Sequence, residues 1–132
     1  MRRSLALAVA ALGLFAVVTL VALEGREVAL LRTTGTDSGP RETRVWVVDT
    51  DGTTLVEAAN PERPFLRDLR THPQVTLVRH GRAEQCAAAV LPDPEGHAHI
   101  RRLLRAKYGW RDRWIALLAD TRDSSAVELR CE

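Results

Sequence analysis

Four arginines lie beside two loop-forming stretches of the chain and could together bind an anion. Arg41 and Arg44 come directly after the glycine-containing segment 35–39, and Arg63 and Arg67 follow the next predicted hairpin. Guanidinium groups bind phosphate through paired hydrogen bonds, and the exposed backbone N–H groups of a glycine-rich turn bind the same oxygens. The pattern indicates a phosphate site, but arginines on the solvated rim of a barrel would have the same spacing.

Other side chains that could do chemistry form no familiar catalytic arrangement. The sequence has no G-x-S-x-G, Walker or H-E-x-x-H motif. His97 and His99 are two residues apart on a predicted helix, so they point to different faces and are poorly placed to share a metal ion. His72 and His80 occupy predicted turns, where a solvated role is the simpler interpretation. We therefore expect no metal site.

The composition limits the classes of function. The 132 residues allow one ordinary domain, and a net charge of +2 is too small for a nucleic-acid-binding surface. Three Trp, one Tyr and two Phe residues offer few platforms for stacking bases. Nucleic acid is therefore not an expected partner.

Alternating apolar and polar residues after position 26 are typical of short strands separated by turns. The segment 49–52 and the pair His80-Gly81 have the chemistry of tight hairpin turns. Strands are predicted at 27–34, 41–48, 53–59, 74–79, 83–91 and 126–131.

Predicted helices interrupt these strands. Phe65, Leu66 and Leu69 recur at helical spacing before Pro73, which predicts a short helix of two turns. A last helix is predicted at 110–119.

The longest helix of this part has recognisable ends. Asp93 is expected to be its N-cap, Pro94 its first residue and Tyr108 its last. Its apolar residues form one stripe, and three arginines are expected on the opposite, solvent-facing side. They are Arg101, Arg102 and Arg105. Together the elements predict a mainly β fold, a small closed barrel of six strands with flanking helices.

The run from Ser4 to Leu23 contains no charged residue. At about 1.5 Å per residue, it spans roughly 30 Å as a helix, the thickness of a bilayer's hydrocarbon core. A single transmembrane anchor is the first interpretation, and a cleaved signal peptide is the alternative. The chain would then divide into an anchor at 1–25 and a barrel domain at 26–132. The two arginines before the run favour a cytoplasmic N-terminus and an extracytoplasmic domain.

The two cysteines, Cys86 and Cys131, are too far apart in sequence for a zinc or thioredoxin motif. In an oxidising compartment they could form one disulfide, and otherwise they would be two buried thiols. The sequence leaves both interpretations open.

Several separated segments share a pattern with a known family. They are Leu-Arg-Thr-Thr-Gly-x-x-Ser-Gly-Pro-Arg at 31–41, Val-Trp-Val-Val at 45–48, Asp-Gly at 51–52, Ala-Ala at 58–59 and Leu-Arg-x-His-Pro-x-Val at 69–75. Over residues 28–132 the chain resembles the deazaflavin-dependent nitroreductase family. The resemblance implies the split β-barrel shared with the pyridoxamine-phosphate-oxidase-like flavoproteins. It also implies a reduced 8-hydroxy-5-deazaflavin coenzyme, or FMN in related branches, and two-electron reduction of a quinone-like or nitroaromatic acceptor.

The resemblance also assigns residues to the coenzyme. Those implied to hold its phosphate are Thr34, Gly35, Ser38, Gly39 and Arg41. Those implied to line its ring and side chain are Ala58, Ala59 and Asn60. Phe65 stands where the family usually has Trp.

The loop departs from the family at Thr36 and Asp37, where basic residues are usual. Arg44, with Arg63 or Arg67, could compensate for this loss of positive charge. Two functions therefore stay open: the oxidoreductase, and a membrane-tethered, non-catalytic barrel that binds a cofactor, haem or a partner protein. The loop departures favour the second function, whereas the resemblance as a whole favours the oxidoreductase.

Tyr108, at the end of the long helix, is the candidate proton donor if a deazaflavin is bound, with simple packing as the alternative. A membrane anchor would suit a lipophilic acceptor such as a quinone. Barrels of the resembled type often dimerise with the cofactor near the interface, so a homodimer is also expected.

Overall fold

The computed structural model describes residues 1–24, 27–35 and 39–132. Within these ranges the chain forms helices and strands in the order that the sequence predicts. The helices are α1 (Arg2–Glu24), α2 (Pro64–Thr71), α3 (Glu95–Tyr108) and α4 (Trp110–Leu118). The strands are β1 (Val28–Gly35), β2 (Gly39–Thr50), β3 (Thr53–Ala58), β4 (Gln74–Arg79), β5 (Arg82–Val90) and β6 (Ser125–Cys131). The predicted domain boundary after residue 25 lies outside the described residues.

The strands close into an antiparallel barrel in the order β1-β2-β3-β6-β5-β4. Each is hydrogen-bonded to a neighbour on both sides, and closure of this kind protects strand edges from pairing with another chain. The predicted closed barrel with flanking helices is confirmed.

Two tight turns define one end of the barrel. Asp51-Gly52 joins β2 to β3, and His80-Gly81 joins β4 to β5. All four residues have positive φ, from 48° to 80°, as a two-residue turn of type I′ requires. We call this end the hairpin end. The opposite end, where β1 stops at Gly35, β2 starts at Gly39 and α2 packs against the strands, is called the α2 end.

The barrel interior is apolar because alternate residues of each strand point inward. In β1 these are Ala29 and Leu31, both at most 1% exposed. Phe65, Leu66 and Leu69 of α2 pack into the same core. Burying a side chain of this size stabilises the fold by about 2–3 kcal/mol, so α2 contributes substantially to the free energy of folding.

A second core lies outside the barrel, under α3. Ile100 and Leu104 of α3 pack there with Val48, Leu55 and Ala126, which lie on three neighbouring strands. This packing holds α3 along the barrel wall.

α1 is the apolar run. Within residues 2–23, the most apolar stretch of 18 residues has a mean hydropathy of 2.7, and 6% of that stretch is buried. The helix is long and apolar enough to cross a membrane, a property it shares with signal sequences and core helices of soluble proteins. Trp114 of α4 packs against it: the rings of Trp114 and Phe15 are 5.5 Å apart, and Trp114 Nε1 donates to Thr19 Oγ1 at 3.0 Å.

Some details differ from the sequence predictions. α3 begins at Glu95 and Pro94 is its N-cap, so the predictions of Asp93 as the cap and of Pro94 as the first helical residue are each one position too early. The Asp93 carboxylate instead accepts a hydrogen bond from Ser125 Oγ at 3.3 Å. β2 begins at Gly39 rather than at Arg41, because its first residues already pair with β1.

The placement of Arg101 on the solvent face of α3 is wrong. Arg101 is 7% exposed, and its guanidinium is buried because carboxylates of β3 and α4 neutralise it there.

Cys86 and Cys131 are opposite each other in β5 and β6 and form a disulfide. The sequence left open a disulfide or two buried thiols, and the structure contains the disulfide.

Candidate functional site

The α2 end collects most of the residues that the resemblance assigns to the coenzyme. It does so because β1, β2 and β3 all begin or stop there, and α2 follows β3 directly. The predicted residues at this end are Thr34, Gly35, Gly39, Arg41, Ala58, Ala59, Asn60, Phe65 and Arg67. Ser38, with Thr36 and Asp37, lies outside the described residues.

Arg41 contacts a buried carboxylate of α2. Its Nε donates to Oδ2 of Asp68 at 3.0 Å, and Thr33 Oγ1 donates to the same oxygen at 2.8 Å. Thr33 and Arg41 are paired across the β1–β2 ladder, so their side chains project to the same face. Asp68 is only 6% exposed. Arg41 therefore joins α2 to the β1–β2 hairpin and neutralises the carboxylate beneath the candidate site.

Asp68 is a residue that the sequence predictions missed. It follows Phe65 by three positions and precedes Leu69, so it lies on the buried face of α2. A carboxylate among the apolar positions of an amphipathic helix is the signal that could have identified it, since a buried charge requires a partner.

Two exposed hydrogen-bond donors are sequence neighbours of this network, Thr34 beside Thr33 and Arg67 beside Asp68. Thr34 and Arg67 are exposed, and within the described ranges Arg67 makes no ion pair. Gly39 has φ +68°, and a Cβ added there would meet no atom within 4 Å. The surface at the start of β2 is therefore open, and the groups presented around it can donate to an anion.

Arg44 lies on the outer wall of the barrel rather than with the other predicted residues. Its Cα is opposite Leu30 of β1, which in turn pairs with Val78 of β4. These three residues, with Val28 and His80, line a groove of about 390 Å³. Arg79 also lines the groove, but its guanidinium is paired with Glu27 and Asp49. The apolar walls and the Arg44 guanidinium suit a flat heteroaromatic ring that carries an anionic substituent.

Three other predicted residues have mainly internal contacts. Ala58 and Phe65 are at most 1% exposed and belong to the barrel core, so they shape the α2 end from beneath. Asn60 is exposed, and its Oδ1 accepts a hydrogen bond from the backbone N–H of Glu62 at 3.0 Å. Its side chain therefore forms part of the turn that leads into α2.

Tyr108 is the last residue of α3 and lies away from the α2 end, in the core between α3 and the barrel wall. Its hydroxyl donates to the carbonyl of Val47 at 2.9 Å and accepts from the backbone N–H of Glu27 at 3.2 Å. Tyr108 is 6% exposed. The predicted role as a proton donor would require the bond to Val47 to break.

Glu27 connects the start of the barrel domain to α3 and the hairpin end. Its carboxylate accepts from Lys107 Nζ at 2.7 Å and contacts His80 Nε2 at 3.1 Å. The hydrogen bond from Lys107 is the main reason that the pKa of Glu27 is lowered. Burial opposes this shift, and His80 and Arg79 lower the pKa further. Burial alone would lower the pKa of Lys107, but the hydrogen bond to Glu27 and the nearby negative charge raise it.

The donor groups at the α2 end and in the Arg44 groove fit a coenzyme with an anionic tail and a flat ring. Thr34 and Arg67 would hold the tail, and the walls at Leu30 and Val78 would contact the ring, with Arg44 beside it. The buried acid at this end, Asp68, is already neutralised and would not repel a phosphate. Within the described parts of the chain, no three His, Cys, Asp or Glu side chains are grouped to bind a metal ion.

Comparisons with known proteins point to a family that uses a deazaflavin coenzyme. The model of the F420H(2)-dependent quinone reductase family matches residues 9–116. A solved F420 reductase is 18% identical, with 81% of this chain and 87% of that chain covered and a TM-score of 0.56. HutZ, the haem storage protein of Vibrio cholerae, is 16% identical over 81% of this chain and 82% of its own, with a TM-score of 0.57. A structure described as a domain-swapped dimer is 21% identical over 81% of each chain, with a TM-score of 0.56.

Identities this low establish the shared barrel fold alone. No curated protein matches the chain. The family match, in contrast, extends from the middle of α1 into α4 and therefore covers most of the sequence. It confirms the prediction of a deazaflavin coenzyme and of an oxidoreductase. The chain belongs to the F420H(2)-dependent quinone reductase family.

Proposed function

We propose that this protein is a membrane-anchored reductase that uses a deazaflavin coenzyme to reduce a quinone-like or nitroaromatic acceptor. The observation that carries the proposal is the group of exposed donors at the α2 end, beside a neutralised Asp68, in a chain whose family depends on F420H(2). An open anion site on a rigid barrel is what a coenzyme with a charged tail needs.

The residues of the chain have separate tasks in this proposal. Thr34 and Arg67 bind the anionic tail, and Arg44 orients the ring against Leu30 and Val78. When bound, the coenzyme supplies the hydride. The barrel contributes orientation and an apolar wall that excludes water from one face of the ring. Tyr108 has a positioning role, because its hydroxyl joins α3 to β2 and to Glu27.

The anchor is α1. A core helix of a soluble protein is mostly buried, whereas 6% of the apolar stretch of α1 is buried. Its contacts with Trp114 support an anchor over a cleaved signal, because they join α1 to the folded domain. A lipophilic acceptor dissolved in the bilayer would then meet the reductase at the membrane surface.

The disulfide indicates on which side of the membrane the barrel domain lies. Bridges such as Cys86–Cys131 are formed and kept in oxidising compartments. Together with Arg2 and Arg3 at the start of α1, it favours an extracytoplasmic domain. The coenzyme would then have to be available outside the cytoplasm.

We also propose a homodimer. The neighbour described as a domain-swapped dimer has the same fold and supports this assembly. A second barrel placed against the outer wall at Arg44 would cover a bound ring and increase its burial.

The function is tested by titrating the full chain, in nanodiscs, with the reduced deazaflavin coenzyme and with FMN. We expect saturable binding of the deazaflavin, and oxidation of the bound coenzyme when a quinone is added. Arg67→Ala removes charge-assisted hydrogen bonds worth about 1.5–3 kcal/mol, so affinity should fall roughly 10- to 150-fold. Arg82→Ala, an exposed arginine at the hairpin end, is the matched control and should leave affinity unchanged.

Each other outcome supports a different function. Binding of FMN alone would contradict the deazaflavin assignment. Binding of the coenzyme without turnover, or of haem in place of both, would support the non-catalytic barrel.

A further inference from the structure

α4 has apolar side chains that the folded domain does not cover. Trp110 is 50% exposed, Leu117 81% and Leu118 51%. At about 100° per residue, these side chains and Trp114 fall within one arc of about 100°. Its buried residues, Asp112 and Ile115, lie on the opposite side of the helix. We call this arc, formed by Trp110, Trp114, Leu117 and Leu118, the apolar face of α4.

Arginines border the apolar face on both sides. At the same 100° per residue, Arg111 projects about 70° from the centre of the arc on one flank and Arg113 about 90° on the other. Arg113 is exposed, and the guanidinium of Arg111 lies 5.2 Å from the ring centre of Trp110. An apolar stripe with Trp and Leu, bordered by cationic side chains, is typical of a helix lying in a membrane interface.

The apolar face is continuous with α1. Trp114 contacts Phe15 through its ring and Thr19 through its indole N–H. Thr19 and Phe15 precede Leu23, the last apolar residue of α1, by four and eight positions. At about 1.5 Å per residue these positions lie roughly 6 and 12 Å inside a bilayer that α1 spans. Amphipathic interfacial helices bury their apolar faces about 5–10 Å deep, so a bilayer around α1 would also reach α4.

We propose that α4 is an interfacial helix, with its apolar face inserted into the same bilayer leaflet that surrounds the end of α1. The inference rests on the proposed membrane anchor and adds a second point of attachment. Arg111 and Arg113 would contact anionic lipid headgroups. Two attachments, together with the bonds of Glu27 to α3, would hold the barrel at a fixed orientation above the bilayer.

The test uses the full chain in vesicles of phosphatidylcholine and phosphatidylglycerol, with and without brominated acyl chains that quench Trp fluorescence. One version keeps only Trp110, through Trp46→Phe and Trp114→Phe. The matched control keeps only Trp46, through Trp110→Phe and Trp114→Phe. We expect Trp110 to lose about half or more of its fluorescence at the interfacial depth. Trp46, on the barrel wall, should keep its fluorescence.

Flotation of the same vesicles separates this inference from the anchor. Leu117→Asp with Leu118→Asp, both at exposed positions, should float with the vesicles because α1 still anchors the chain, but should lose the quenching of Trp110. If the chain that keeps only Trp110 floats but is not quenched, or if quenching persists after Leu117→Asp and Leu118→Asp, the interfacial helix is overturned and the anchor is left intact. Failure of the unmodified chain to float would overturn both.

Discussion

Nη1 of Arg101 lies 3.1 Å from each carboxylate oxygen of Glu57, and both side chains are buried. Nη2 of the same guanidinium donates to Asp112 at 2.6 Å. One arginine of α3 therefore joins β3 to α4 across the barrel wall. Because α4 contacts α1, this pair is also part of the structural path between the barrel and the apolar helix.

Removal of the Arg101 side chain should strongly destabilise the fold. Arg101→Ala removes the guanidinium that neutralises the buried carboxylates of Glu57 and Asp112, which we expect to lower the free energy of unfolding by about 3–5 kcal/mol. Urea denaturation of the detergent-solubilised chain measures the change. Arg105→Ala, an exposed arginine one turn later in the same helix, is the control and should change stability by less than about 0.5 kcal/mol. Equal losses in the two variants would contradict a structural role of the buried charge.

Glu27→Gln should weaken the fold in a pH-dependent manner. The pKa of Glu27 is lowered, mainly by the hydrogen bond from Lys107, so its stabilising contribution is complete above the unfolded-state value of 4.5 and is lost as the pH falls through the lower folded-state pKa. At pH 7 we expect a cost of about 1 kcal/mol.

The measurement is the difference in unfolding free energy between wild type and Glu27→Gln from pH 7 down to pH 3. The difference should shrink only below pH 4.5. The raised pKa of Lys107 predicts a second change at high pH. The stabilisation by the ion pair is complete below the unfolded-state value of 10.5 and is lost as the pH rises through the folded-state pKa. A difference that stays constant with pH would exclude the charged pair as its cause.

The disulfide should contribute to stability through the unfolded chain. Cys86 and Cys131 are separated by 45 residues, and closing a loop of this length is worth about 4 kcal/mol in the chain-entropy model. Replacing both cysteines by Ala should lower the free energy of unfolding by roughly 2–4 kcal/mol. Wild type treated with reductant should behave like the variant. If the reductant has no effect on wild type, the cysteines are free thiols in the protein as isolated.

Arg44→Ala tests whether the outer groove takes part in coenzyme binding. Loss of one charge-assisted contact of about 1.5–3 kcal/mol should weaken binding roughly 10- to 150-fold. The fold should be unaffected, because Arg44 is exposed. Arg32→Ala, on the same wall and paired with Glu42, is the control and should change affinity little. Unchanged affinity in Arg44→Ala would remove the groove from the site and leave the α2 end alone.

The local elements follow from the sequence because their causes are local. Positive φ at Asp51-Gly52 and His80-Gly81 selects the hairpin turns, and the alternation of apolar residues selects the inward face of each strand. The length and apolarity of 4–23 likewise determine a long exposed helix. The motifs in residues 31–75 are also local, and their resemblance to a known family predicted the deazaflavin coenzyme.

The contacts that join distant segments were decided only by the tertiary structure. Helical periodicity placed Arg101 on the solvent side, because it cannot register that Glu57, 44 positions away, and Asp112 neutralise the charge in the interior. The same holds for the bond of Arg41 to Asp68 and for the pairing of the cysteines. Each depends on strand register and helix placement, which arise from the packing of the whole chain rather than from any one segment.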